Sequence, residues 1–369
     1  MNTRFMATLQ QIMLLCRPGF EHECAAEMMQ QASTVGIPAY IKASSGTGYA
    51  HLVSAEDRVM TGVFDQIAFN ELIFTRQWFA STRQIKALPE SNRVAPLTEV
   101  ARQLADNLEC GFSDIELSYA DTNQGKALNR FCRAFRPHML SALKDQQLLS
   151  SHSPLRLHLF FTDSSTAWIG ISPVANSAGN PMGIPRLRMP TSAPSRSTLK
   201  LEEAINWFLS EYEREQGFKP GMRAVDLGAA PGGWTWQLVR RGLLVTAVDN
   251  GPMDPALMES GMVEHLRTDA FTYSPGDKIH WLVCDMAERP LHVSRLVARW
   301  FAQHKCMAAI FNLKLPMKKR YQTVMDCKQL LFKALGNEGI TTRVRIKHLY
   351  HDREEVTACL ITEDLGIHR

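Results

Sequence analysis

The sequence predicts an α/β protein in two parts: a doubly wound, parallel sheet over residues 196–369 and an α+β region before it. Three observations carry this expectation. From residue 199 onward, short apolar runs of strand length alternate with helix-length segments, the pattern of a parallel sheet wound by crossover helices. Before residue 173, strands and helices are grouped instead, which favours α+β. A stretch rich in Pro, Gly and small polar residues, 174–195, stands between the two, and 369 residues at roughly 150 per domain give two to three domains.

Taken in order, the apolar run 12–16 reads as a strand and is stopped by Arg17-Pro18-Gly19-Phe20. Residues 21–32 have helical spacing, and strands at 37–42 and 49–53 flank the turn-rich 44–48, giving a βαββ-like unit over 1–60. The region 61–173 holds a strand at 72–79, a helix at 98–107, a strand at 115–119 and a long helix at 129–149. Strands at 155–161 and 166–171 around Thr162-Asp163-Ser164-Ser165 close it. The segment 174–195 reads as a linker, with Arg186 and Arg188 in it and Arg196 just after it; none has an acid nearby, which suits phosphate contact. Beyond it come a helix at 199–215, strands at 223–227 and 243–249 around a helix at 234–241, and a strand at 279–285. A helix at 291–304, a strand at 307–313, a helix at 321–338 and strands at 341–348 and 356–362 complete the pattern.

Composition narrows the class without naming a function. With 45% hydrophobic and 21% charged residues the chain is neither a disordered nor a membrane-embedded type, and no segment approaches the roughly 20 apolar residues needed to span a bilayer. The net charge of +4, from 41 basic and 37 acidic residues, decides nothing about nucleic acid by itself. Eight scattered cysteines include no Cys-x-x-Cys pair, so no zinc framework is expected, and unpaired thiols fit a reducing compartment. The opening 20 residues carry no small-residue cleavage site after a proper apolar region, so a cytoplasmic location is expected.

The most informative stretch is Asp226-Leu-Gly-Ala-Ala-Pro-Gly-Gly-Trp234, in which a strand runs into a glycine loop and then a helix. Glycines at the carboxyl end of a strand let a cofactor approach the backbone closely. A dinucleotide site would read Gly-x-Gly-x-x-Gly; here Ala230 stands at the second glycine, which lowers the nicotinamide reading. Asp249 ends the next strand, where a carboxylate can bind both hydroxyls of a ribose.

This loop resembles motif I of the class I S-adenosylmethionine-dependent methyltransferases, in the form used by FtsJ-like RNA ribose 2′-O-methyltransferases, whose catalytic domain is Rossmann-like. The resemblance implies S-adenosylmethionine as cofactor and contacts to it from Ser197, Gly228, Ala230, Pro231, Gly232, Gly233, Asp249, Asp269 and Asp285, with Asp269 at the adenine and Asp285 beside the methionine moiety. That family uses a Lys-Asp-Lys-Glu site, and four residues match it in order: Lys200 in Ser195-Arg-Ser-Thr-Leu-Lys-Leu, Asp285 in Asp285-Met-Ala, Lys314 at the end of an apolar strand, and Glu355 before the last one. Glu354 is adjacent; Glu355 is preferred because Val356 opens the strand.

The chemistry calls for these types. A ribose hydroxyl is a poor nucleophile and needs a general base or strong orientation for in-line attack on a sulfonium methyl. A lysine at its ordinary pKa of about 10.4 is protonated at neutral pH. Partial burial and a second cation lower that value, while carboxylates oppose them and fix the position. Lys314 is therefore expected to be the base, Lys200 and Asp285 to tune and orient it, and Glu355 to position Lys314 or the hydroxyl. The sulfonium already supplies the electrophile, so no metal is expected. The Asn/Asp-Pro-Pro-aromatic loop of amine methylation and the Pro-Cys of carbon-5 methylation are both missing.

Lys314, Lys318, Lys319 and Arg320 form a basic cluster with no acid between them, suited to phosphates. The N-terminal half resembles an RNA-binding appendage, a ferredoxin-like unit at 1–60 and a THUMP-like domain at 61–173. End to end, the chain resembles the RlmM family, which implies methylation of the 2′-oxygen of a cytidine in 23S ribosomal RNA, presented as a precursor or protein-poor form, by a monomer. Two other readings stay open: a catalytically silent RNA-binding protein with this fold, and a methyltransferase acting on another RNA.

Overall fold

The computed structural model describes residues 8–54 and 59–367, and the chain divides into two compact units, Met1–Pro185 and Arg186–Arg369. The opening residues and the last part of the expected 1–60 unit lie outside the described residues.

In chain order the first unit contains β1 (Gln11–Leu15), α1 (Glu21–Thr34), β2 (Tyr40–Ala43), β3 (Tyr49–Val53), α2 (Val59–Gln66) and β4 (Gln77–Ser81). These are followed by α3 (Val94–Leu108), β5 (Ile115–Tyr119), α4 (Asn123–Ala127), α5 (Asn129–Asp145), β6 (Leu155–Asp163) and β7 (Thr166–Pro173). β1 pairs with both β3 and β4, and β4 with β7, so the two α+β stretches share one sheet of order β2-β3-β1-β4-β7-β6-β5. The strand expected at 72–79 begins only at Gln77. Ile73 and Phe74 are buried, but their N–H groups go to the carboxylate of buried Glu27, at 2.5 and 2.9 Å, instead of to a ladder. The first half of the expected linker packs onto this unit. Asn176 accepts from the Phe69 N–H at 2.7 Å and donates to the carbonyls of Phe64 and Ile67, while the Met182 N–H reaches Glu116 at 2.7 Å. The compact units divide within that segment, after Pro185.

The second unit holds α6 (Thr198–Phe208), α7 (Glu211–Gly217), β8 (Arg223–Leu227), α8 (Gly233–Val239), β9 (Leu244–Val248), α9 (Pro255–Met258), β10 (Val263–Leu266) and β11 (Ile279–Cys284). Then come α10 (Pro290–Ala302), β12 (Cys306–Lys314), α11 (Arg320–Asn337), β13 (Thr342–Lys347) and β14 (Glu355–Thr362). The helix expected over 199–215 is two helices. Leu209 is extended, and Ser210 and Glu213 form a reciprocal capping box that starts α7 afresh.

The sheet order is β10-β9-β8-β11-β12-β14-β13. Five strands are parallel, four of them expected and β10 not, but β14 runs antiparallel to both neighbours. Only residues 348–354 join β13 to β14, too few for the crossover a parallel pair requires. The chain reverses direction across the sheet at β8 and β11, the switch point where open α/β sheets bind ligands.

One face of this sheet positions the site. Ala224, Trp281, Val283, Ala308, Ile310, Cys359 and Ile361 project into a core shared with Leu201, Ile205 and Phe208 of α6 and Trp234 and Leu238 of α8. Because side chains alternate along a strand, the next positions on that face are Asp285, Asn312 and Lys314, and Thr357 and Glu355. The packing of α6 against this face brings Lys200 over the same end. Trp281 anchors the core: it is fully buried, stacks on Phe218 with centroids 4.6 Å apart and donates to the Gly217 carbonyl at 2.6 Å. A Trp281→Ala substitution is expected to destabilise this unit by about 3–5 kcal/mol, read as a lower denaturant midpoint for its unfolding transition.

Candidate active site

Four charged groups from four elements meet at the carboxyl ends of β11 and β12. Lys200 stands in the first turn of α6, Asp285 follows β11, Lys314 ends β12 and Glu355 opens β14. Lys314 and Glu355 are direct cross-strand partners in the antiparallel ladder. Glu355 accepts from Lys200 at 2.6 Å through Oε1 and from Lys314 at 3.2 Å through Oε2. Asp285 lies 3.4 Å from Lys200 through Oδ2 and 4.0 Å from Lys314 through Oδ1. All four expected residues are thus brought together. Glu354 is turned away and pairs with Arg320 at 2.7 Å, so Glu355 is the glutamate that joins the cluster.

Burial grades the four. The Glu355 side chain is 5% exposed, Lys200 and Asp285 are 15% and 16% exposed, and Lys314 is 34% exposed. Burial weighs most on Lys200 and works against its charge, but Asp285 and Glu355 together outweigh it and hold the ammonium above the ordinary lysine range. At Lys200, therefore, the carboxylates win over burial, which suits the orienting charge expected there. At Glu355 burial likewise disfavours the charge, and Lys200 and then Lys314 reverse the direction, holding the carboxyl below its usual range. The stability Glu355 contributes is present above the ordinary glutamate range and is lost as pH falls through its depressed folded value. That of Lys200 is complete below the ordinary lysine value and is lost as pH rises through its raised one.

Beside this cluster lies the glycine loop. Gly228 and Gly232 have φ of +75° and +115°, and a side chain on Gly228 would meet Met286, the neighbour of Asp285, at 2.6 Å. The loop therefore packs tightly against the end of β11. Asp249 is fixed there too: its carboxylate accepts from the Ala230 N–H at 3.0 Å and the Gly251 N–H at 2.7 Å. The Ala230–Pro231 peptide is cis, and Gly232 caps α8. Ser197 shares a 2.7 Å hydroxyl hydrogen bond with Ser195, and a side chain on Gly233 would fall within 2.3 Å of both hydroxyls. Asp269 is exposed beyond β10, and its Oδ1 accepts from the Phe271 N–H at 2.9 Å, an Asx-type turn. Beneath the loop, Asp226 is buried and accepts from Thr235 at 2.6 Å; burial, with Asp285 adding to it against that hydrogen bond, pushes its pKa up to about 7.

The basic cluster is less uniform than its sequence. Arg320 is spent on Glu354 and Lys314 on Glu355, leaving Lys318 and Lys319 exposed beside Met317, which is 92% exposed. Trp234 is core, and Trp236 lies half-buried under the Arg240 guanidinium, 5.3 Å from its ring centroid.

Sequence reasoning missed the polar residues behind the four. Asn312, Thr357 and Asp352 are fully buried, and Asn312 donates to Asp285 Oδ1 at 2.7 Å. Buried Glu203 accepts from the Tyr350 and His351 N–H groups at 2.8 and 2.9 Å, tying the β13–β14 loop to α6. The signal was present: Asn312 interrupts an apolar strand two residues before Lys314, and Thr357 follows Glu355 by two, so each shares a face with its charged neighbour.

Comparison with known proteins places the chain in a family. Residues 9–79 match the RlmM ferredoxin-like domain, 92–173 match the N-terminal region of ribosomal RNA large subunit methyltransferase M, and 193–335 match the FtsJ-like methyltransferase. The ribosomal RNA large subunit methyltransferase M of Cellvibrio japonicus is 47% identical over 95% of this chain and 99% of its own length. The chain belongs to the RlmM family. That of Methylococcus capsulatus is 45% identical over 96% of this chain and 99% of its own. Family membership thus extends through both units, and the four-residue cluster lies in the FtsJ-like part, save Glu355, which comes from the strand beyond the matched residues.

The shared carboxylate makes a measurable claim. Glu355→Gln is expected to lower the pKa of Lys200, read by NMR titration of ¹³C-methylated lysines, because the strongest hydrogen-bonded anion is removed. An unmoved Lys200 titration would show that Asp285 alone holds the ammonium.

Proposed function

We propose that this RlmM-family enzyme transfers a methyl group from S-adenosylmethionine to the ribose 2′-hydroxyl of a cytidine in 23S ribosomal RNA, with Lys314 as general base. Membership of the family makes it an S-adenosylmethionine-dependent ribosomal RNA methyltransferase; the 2′-oxygen, the cytidine and the residue roles are the finer part of the proposal. The observation that carries it is the joining of Lys200, Asp285, Lys314 and Glu355 within hydrogen-bonding and ion-pair distance at the carboxyl ends of β11 and β12, beside the switch point. So complete an arrangement argues against a silent RNA-binding module, because paired buried charges add little net stability to a fold and clustered ionisable groups concentrate at functional sites.

The residues present fit the cofactor. Two left-handed glycines, the tight approach of the loop to Met286 and a ribose-type carboxylate at Asp249 held by loop N–H groups form a cradle. Gly228, Ala230, Pro231, Gly232, Gly233, Ser197, Asp249 and Asp269 would line it, with Asp285 at the junction with the acceptor. When bound, S-adenosylmethionine supplies an electrophilic methyl on a sulfonium, so the protein's task is to prepare and aim the hydroxyl. Lys200 is the more strongly held cation and acts as an orienting charge. Lys314, the most exposed of the four, is open to an acceptor; in its unprotonated form its Nζ takes the hydroxyl proton. Glu355 fixes both lysine heads, and Asp285 faces both. Lys318 and Lys319, with Arg186, Arg188 and Arg196, are exposed and suited to phosphates. The RNA is proposed to be a precursor or protein-poor form and the enzyme a cytoplasmic monomer.

Incubation with labelled S-adenosylmethionine and ribosomal RNA, followed by mapping of ribose methylation, tests the reading: label on a base, or on a metabolite but not RNA, overturns it. Lys314→Ala should lower kcat by about 10²–10⁴-fold with cofactor affinity retained, and full residual transfer would remove Lys314 as the base. Replacing Lys318 and Lys319 with Ala should weaken RNA binding and flatten its log–log salt dependence by about one to two.

A further inference from the structure

Behind Asp285 runs a line of buried polar groups whose donors and acceptors admit few arrangements. Asn312 Nδ2 is 2.7 Å from Asp285 Oδ1, Thr357 Oγ1 is 2.8 Å from Asn312 Oδ1, and the same hydroxyl is 3.0 Å from each oxygen of Asp352. Asp352 Oδ2 also accepts from the Leu349 N–H at 3.0 Å. Asn312, Thr357 and Asp352 are all 0% exposed, so none exchanges these partners for bulk water.

Counting protons fixes the direction. Asp285 is ion-paired with Lys200 and accepts only, so Asn312 must present its NH₂ there. The amide oxygen then faces Thr357 and requires a donor, and a threonine hydroxyl carries a single proton. Once that proton goes to Asn312, the Thr357 oxygen can only accept, and an ionised Asp352 would set lone pairs against lone pairs at 3.0 Å. We infer that Asp352 is held as the neutral acid and heads a directed chain, Asp352 to Thr357 to Asn312 to Asp285, that positions Asp285 in the site. The charged groups facing Asp352 are Glu203, Glu355 and Lys200. Burial first, then the two glutamates, hold its carboxyl well above the usual aspartate range, against the Leu349 N–H and Lys200.

The role rests on the proposed methyl transfer, since these are positioning residues: they touch Asp285 and not the acceptor. With Asp285 Oδ1 held by Asn312, its Oδ2 is left to Lys200, so the chain sets which oxygen meets which lysine. A register fact builds it in, for Asn312 and Thr357 are cross-strand partners two residues along the ladder from Lys314 and Glu355, hence on the same face.

Two measurements on the full chain decide it. Infrared spectroscopy at neutral pH should show a protonated carboxyl band that disappears in Asp352→Asn; an unchanged spectrum would mean that Asp352 is ionised. In transfer assays Thr357→Val should lower kcat about tenfold to a hundredfold with KM for both substrates within about twofold. Thr357→Ser, which keeps the hydroxyl, and Asp352→Asn, whose NH₂ replaces the acid proton, should restore most of kcat. Asp352→Asn as slow as Thr357→Val would show that the charge and not the proton is needed, and an unimpaired Thr357→Val would remove the positioning role. If the unaltered protein transfers no methyl to RNA the functional reading falls, while the infrared band still decides the state of Asp352.

Discussion

Glu355 accepts two ammonium groups from a position 5% exposed, and each comes from a different part of the C-terminal unit. Lys200 arrives on a helix packed over the sheet, Lys314 on the adjacent strand, and Asp285 from the strand beyond it. A carboxylate in that position would be costly alone; with two cations on it, it becomes the fixed point from which the other groups take their places. The arrangement is neutral when all four groups are ionised, so a buried cluster of charges persists without a net field to discharge.

The glycine loop and the charged cluster are separate pieces of architecture that meet at Asp285, whose neighbour Met286 packs against Gly228. The glycine loop, Asp249 and the start of α8 surround β8 and β9 and are shaped by backbone: left-handed glycines and N–H groups turned on a carboxylate. The charged cluster is shaped by side chains on β12 and β14, where alternation sets an apolar core, then a buried amide and hydroxyl, then the charges. Polarity rises stepwise along one face from Ile310 through Asn312 to Lys314, which lets a dry core run into a wet site.

Much of this was legible in the sequence because its signals are local. The glycine loop and the alternation of strands and helices each declare themselves within a few residues, and the resemblance that the loop carries led to the four charged residues at strand or helix ends. What was not legible depends on distant partners. Buried Leu72 to Thr75 looked like a strand because nothing nearby reveals that Glu27 takes the N–H groups of Ile73 and Phe74. The helix over 199–215 hid a break that Ser210 and Glu213 had in fact spelled out as a capping box. Asn312 and Thr357 were passed over since an isolated polar residue in an apolar strand acquires meaning only when the register places two of them face to face.

The sheet order also has a temporal side. β14 lies between β12 and β13, yet it is made after both. Until it is translated and inserted, those two strands expose unpaired edges to each other across an empty slot, and Lys200, Lys314 and Asp285 lack the carboxylate that gathers them. The glycine loop and Asp249 are translated well before. In order of synthesis, therefore, the glycine loop precedes the strand that carries Glu355, and the strand that fills the gap in the sheet is the same one that completes the charged cluster.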